Sequence, residues 1–103
     1  MNSRLNMTNE QLAAWCRKWQ IAEVWLFGSV LRDDFSATSD IDVMVQFDDE
    51  ARWSLFELSE MKFELQDLVG RNVDLLTLDG VRGMKNPYRR HSILSSAERV
   101  FAA

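Results

Sequence analysis

Cysteine is nearly absent from this sequence: Cys16 is the single one among 103 residues. It has no partner for an internal disulfide, which excludes the stapled framework of a small secreted domain and fits a reducing compartment. Histidine is as scarce, and His91, with no second histidine or cysteine pair beside it, is assigned no metal role. No apolar run approaches membrane-spanning length. Residues 1–10 are mostly polar and lack the apolar stretch and small-residue cleavage site of a signal peptide, so the chain is expected in the cytoplasm, away from any membrane. Positive charge is in deficit too. Twelve Lys and Arg against sixteen Asp and Glu leave a net charge of −4, the opposite of the basic footprint that non-specific duplex binding requires, and no direct nucleic-acid contact is expected. There is no internal repeat, low-complexity tract or linker. With 47% apolar and 27% charged residues, what remains is one domain, residues 1–103, with a radius of gyration of roughly 13 Å. That is too small for a protein-kinase fold, a TIM barrel or a two-half Rossmann unit.

The pattern of apolar residues divides this domain into alternating helices and strands. Thr8 with Gln11 reads as a capping box, and Leu12, Trp15, Cys16 and Trp19 follow at helical spacing, which predicts a helix over 9–19. Ile21 to Phe27 is apolar apart from Glu23 and bounded by Gly28, as expected of a mostly buried strand; a short helix is expected to open at Ser29. Ile41, Val43, Val45 and Phe47 alternate with Asp42, Met44 and Gln46, the period of a second strand. The acidic run Asp48-Asp49-Glu50 marks an expected helix start, and Leu55, Leu58, Met61, Leu65 and Leu68 form its stripe, ending at Gly70. Asn72 to Leu78 is a third strand. Asn86-Pro87 supplies an N-cap and first-position proline for a terminal helix whose apolar face is expected to be Ile93, Leu94, Ala97 and Phe101. The fold class is therefore α/β, a small sheet covered by helices, with the strand order left open.

Within that frame three groups of residues carry chemistry. Gly28-Ser29 ends a buried strand and opens a helix, where free backbone N–H groups and the helix dipole can hold a phosphate. Asp40 and Asp42, at i and i+2 as the second strand begins, emerge on one face. Two like charges that close repel each other, and a divalent cation binding between carboxylates and substrate phosphates relieves the repulsion. Asp74 interrupts an otherwise apolar strand, where an unpaired carboxylate would be costly. If the third strand lies beside the second with Asp74 on the Asp42 side, three carboxylates converge next to the phosphate cradle as a two-metal phosphoryl-transfer site.

The segments Leu26-Phe27-Gly28-Ser29-Val30-Leu31-Arg32 and Ser39-Asp40-Ile41-Asp42-Val43-Met44-Val45 resemble the Gly-Ser and Asp-x-Asp signature of the DNA polymerase β-like nucleotidyltransferases. The order of elements is most similar to the minimal nucleotidyltransferases, called MNT. Arg32 matches their pattern, whereas Asp33 stands where many minimal members carry glycine. The resemblance implies an α+β core with a mixed sheet, ATP as co-substrate and Mg²⁺, expected as two ions. It assigns Asp40, Asp42 and Asp74 to catalysis and metal binding, and Gly28, Ser29, Arg32 and Ser39 to the nucleotide. Many minimal members are antitoxins encoded beside a HEPN ribonuclease toxin. The implied activity is transfer of AMP from ATP to a tyrosine hydroxyl of such a toxin, held in a hetero-oligomer. Neutralisation by binding alone, and nucleotidyl transfer to a small molecule or an RNA end, are the alternatives. Transferases of the latter kinds usually carry an additional substrate-binding domain.

Other residues read more plainly. Trp15 and Trp19 lie on the first helix's apolar stripe and are expected in the core with Cys16, whereas Trp53, off the stripe of its helix, is the candidate for a protein interface. Arg89, Arg90 and His91 form a basic cluster on a helix face. The first reading of that cluster is a solvated face; the sharper alternative is that one of Arg89 and Arg90, or Arg82 or Lys85, reaches the nucleotide or the partner, since the main site is acidic.

Overall fold

The computed structural model describes residues 7–28 and 40–103. The expected short helix at Ser29, and Ser29, Arg32, Asp33 and Ser39 themselves, lie outside the described residues. Helix α1, Asn9–Lys18, opens on the predicted box: the Thr8 hydroxyl accepts from the Gln11 N–H at 3.0 Å, and the Gln11 side chain accepts from the Thr8 N–H at 2.9 Å. Each bond satisfies a donor that helical geometry leaves without a partner.

Strands β1 (Ile21–Phe27), β2 (Ile41–Phe47), β3 (Val73–Thr77) and β4 (Glu98–Ala102) form one mixed sheet in the order β3-β2-β1-β4. β1 runs antiparallel to β2 and β4, while β2 and β3 are parallel. A parallel pair needs a crossover, and helix α2, Leu55–Val69, supplies it. The helix ends at Gly70, whose left-handed conformation lets its N–H reach the Gln66 carbonyl at 2.8 Å.

Alternation along the strands sorts side chains into two clusters. Val24, Leu26, Ile41, Val43, Val45 and Val73 face α1 and α2, packing on Leu12, Trp15, Cys16, Met61, Leu65 and Val69. On the opposite face Phe27 and Met44 meet Leu78 and Val81 of α3 (Leu78–Arg82) and Ile93 of α4 (Pro87–Ser96). Among the described residues the second cluster is the smaller. The radius of gyration is 13.1 Å, and no helix among the described residues is long and apolar enough to cross a membrane.

Several elements depart from the sequence pattern. The terminal helix stops at Ser96 and the chain turns extended at Ala97, so Phe101 belongs to β4, where it pairs with Val24. β1 would otherwise present an open edge, and Val100 and Phe101 favour a strand there. Leu78 begins α3 instead of ending β3, because the Thr77 hydroxyl caps the Gly80 N–H at 3.0 Å. The acids Asp48 to Glu50 lie in a turn; Ser54, with Glu57 three residues on, opens α2. Ser54 donates to the Glu57 carboxylate, which holds that acid below its ordinary range. Leu55 is consequently on the first turn, 82% exposed, and Val69 takes its place in the stripe.

Trp53 is not a free interface residue. Its indole N–H donates to the Trp19 carbonyl at 2.8 Å and its ring meets Trp19 edge to face at 5.3 Å, against the larger cluster. Trp15, Cys16 and Trp19 are buried as expected, and burial pushes the Cys16 thiol up to about 12. A thiol so placed stays protonated at neutral pH and is a packing residue.

Candidate active site

The end of β1 brings backbone and carboxylate together. Gly28 follows Phe27 with a φ of +73°, and a Cβ built on it would lie 2.2 Å from Oδ2 of Asp42. Only a residue without a side chain lets the Asp42 carboxylate rest against this backbone. Across the antiparallel ladder Asp42 pairs with Phe27, and across the parallel ladder it pairs with Asp74. Partners in register present their side chains on the same face, roughly 4.8 Å apart at the backbone. The Ile41 N–H, donating to the Asn72 carbonyl at 2.9 Å, fixes the start of that register. Asp40, one residue ahead of β2, is exposed.

Asp74 is exposed as well, which corrects one premise. No burial penalty requires a partner for it, and its claim to the site rests on its register with Asp42. Among the described residues no three His, Cys, Asp or Glu side chains gather closely enough to hold a metal ion. What the fold does gather is a pair of carboxylates. Mg²⁺ characteristically takes one or two carboxylates together with substrate phosphates, and Asp42 with Asp74 fit that requirement.

Above the pair lies an open cleft of about 390 Å³. Its floor is Phe27, Gly28, Asp42 and Asp74; its other wall is Arg89, Ser92, Ile93 and Ser96 of α4. Asn86 starts that helix by accepting from the N–H groups of Tyr88 and Arg89 at 3.0 and 3.2 Å, with Pro87 in the first turn. Buried Ile93 sets the helix down on Phe27 and Met44. Arg89, Ser92 and Ser96, at i, i+3 and i+7, then share the face turned to the cleft.

The basic cluster is thereby resolved. Arg89 lines the cleft, while Arg90 braces the preceding turn by donating to the Met84 carbonyl at 2.7 Å. Arg82, Lys85 and His91 are exposed and outside the lining. Ser92 and Ser96 were not legible as site residues; the available signal was their helical spacing from Arg89 around Ile93. A larger groove, about 560 Å³ between α1 and β4, has Glu98 as its one carboxylate residue and lacks the paired donors that phosphoryl chemistry uses.

The mixed sheet brings Asp42 and Asp74 into register beside Gly28, an arrangement compatible with phosphoryl-transfer chemistry. Residues 9–100 match the nucleotidyltransferase domain family, and the chain belongs to it. A Methanocaldococcus jannaschii protein provisionally named a protein adenylyltransferase is 36% identical over 75 residues, which cover 73% of this chain and 74% of that protein. A solved structure provisionally described as a minimal nucleotidyltransferase superimposes with a TM-score of 0.66 at 28% identity, covering 88% of this chain and 87% of its own. The fold also recurs in the structure of a tri-AMPylated Shewanella oneidensis HEPN toxin in complex with an MNT antitoxin. There the TM-score is 0.62 at 18% identity, over 91% of this chain and 69% of the other. The resemblance to minimal nucleotidyltransferases read from the two motifs is borne out, as is the α+β fold.

Proposed function

We propose that this nucleotidyltransferase is an antitoxin that transfers AMP from ATP, with Mg²⁺, to a tyrosine hydroxyl of a HEPN-type toxin. The observation that carries the reading is the parallel register of Asp42 and Asp74 at the floor of the cleft. The provisional name of the Methanocaldococcus relative and the AMP-bearing toxin in the Shewanella complex support the acceptor class.

In this reading the acceptor oxygen bonds to the α-phosphorus as the bond to the bridging oxygen breaks, and pyrophosphate leaves. Asp42 and Asp74, with Asp40, would hold the cations, and Asp74 would accept the hydroxyl proton. Bound Mg²⁺ would neutralise the triphosphate and lower the pKa of the attacking hydroxyl. Gly28, with no side chain of its own, would leave its backbone open to phosphate oxygens beside the Asp42 carboxylate.

The test is the intact mass of the product of the adjacent gene after incubation with this chain, ATP and Mg²⁺. One or more added AMP masses are expected, and none with the Asp40→Asn/Asp42→Asn double variant. Full modification by the double variant would overturn the mechanism. A stable complex without any added mass would replace transfer by neutralisation through binding.

A further inference from the structure

We propose that Arg89 is the cation of the cleft that binds the phosphate chain of the nucleotide. The inference rests on the nucleotidyl-transfer reading and adds a residue to it. Arg89 shares the lining with Gly28, Asp42 and Asp74 and is the one basic residue there among the described residues. Among the described residues its guanidinium has no hydrogen-bond or ion-pair partner. The other arginines with described partners are committed to the fold: Arg52 donates to the Asp49 and Ala51 carbonyls, Arg90 to the Met84 carbonyl, and Arg99 pairs with Glu23.

Charge distribution favours the same assignment. Residues 80–97, which span most of α3 and all of α4, carry Arg82, Lys85, Arg89 and Arg90 and no carboxylate, within a chain of net charge −4. Its one contribution to the cleft lining from these four is Arg89. A nucleoside triphosphate entering a floor of two aspartates meets repulsion unless cations compensate it. A guanidinium presents a planar fork of donors that matches two phosphate oxygens at once, with a charge that does not titrate near neutral pH. Ser92 and Ser96 continue the wall along the helix and leave the phosphate chain a polar track beneath α4.

The test is equilibrium binding of ATP in the presence of Mg²⁺ to the whole chain and three variants. Arg89→Ala is expected to weaken binding by about ten- to a hundredfold, the loss of one charged hydrogen-bonding partner. Arg89→Lys should recover part of it, since the charge returns without the fork. Arg82→Ala, which removes the same charge from the same basic stretch outside the lining, should bind within about twofold of the parent. Thermal unfolding of each variant separates a lost contact from a lost fold. ATP binding by Arg89→Ala at the parental level would overturn the proposal, and so would an equal loss in Arg82→Ala. If the parent transfers AMP and Arg89→Ala is indifferent, the assignment of Arg89 falls alone; if the parent binds no ATP, the nucleotidyl-transfer reading falls with it.

Discussion

Replacing Gly28 by alanine would place a methyl carbon 2.2 Å from Oδ2 of Asp42 and hold a residue with a side chain at a φ of +73°. The left-handed backbone costs about 1–2 kcal/mol for an L-residue, and the close approach obliges the Asp42 carboxylate to move. Gly28→Ala is therefore expected to lower unfolding stability by about 1–2 kcal/mol and to remove most of the transferase activity, measured by urea unfolding and by AMP transfer. Activity at the parental level would show that the Asp42 position is not critical. Asp74 should behave in the opposite way. It is exposed and in register with another carboxylate, and like charges facing each other across a ladder destabilise it by a fraction of a kcal/mol. Asp74→Asn should keep or slightly raise the unfolding stability while transfer falls by about a hundredfold or more, since sites that gather like charge trade stability for chemistry. A fall in stability without loss of transfer would make Asp74 a structural residue.

Elements differ in how much of themselves they show in one dimension. α1 was legible because its capping box and apolar stripe are local, and β2 because its alternation is complete within seven residues. β4 was not, since Glu98–Ala102 is short and becomes a strand by lying along the open edge of β1, a partner more than seventy residues earlier. For the site, Gly28, Asp42 and Asp74 were legible as residue types in order; their meeting depends on the β3-β2-β1-β4 order, which no local pattern specifies. α4 shows a second limit. Its N-cap and proline were plain, yet which of its basic residues faces the carboxylates is decided by how buried Ile93 seats the helix. That single anchor makes the Asn86 cap important. Asn86→Ala removes the acceptor from the Tyr88 and Arg89 N–H groups and should cost about 1 kcal/mol. ATP affinity should fall by only a few-fold, because Arg89 keeps its place on the helix once α4 is docked. A loss as deep as that of Arg89→Ala would mean that α4 does not dock without its cap.

At the scale of the molecule the described residues secure the two faces of the sheet unequally. Helices α1 and α2 close the larger cluster, whereas α4 contributes Ile93 as its buried residue and shares an open cleft with the sheet. A ligand in that cleft touches both walls, so in binding it joins the loosely held layer to the firm one. Binding to the native state alone stabilises it by about 2.7 kcal/mol at a hundred times Kd. For a domain of this length that corresponds to a rise in Tm on the order of 10 °C. ATP with Mg²⁺ should produce such a rise in the parent chain and little in Asp42→Asn, while amide exchange slows in α1 and α2, where it follows global unfolding, and in α4 as well, whose local opening would release the ligand. The pattern of protection matters more than the size of the shift. Slowing in α1 and β4 with none in α4 would move the nucleotide to the larger groove on that side, and the carboxylate pair would then lose its substrate.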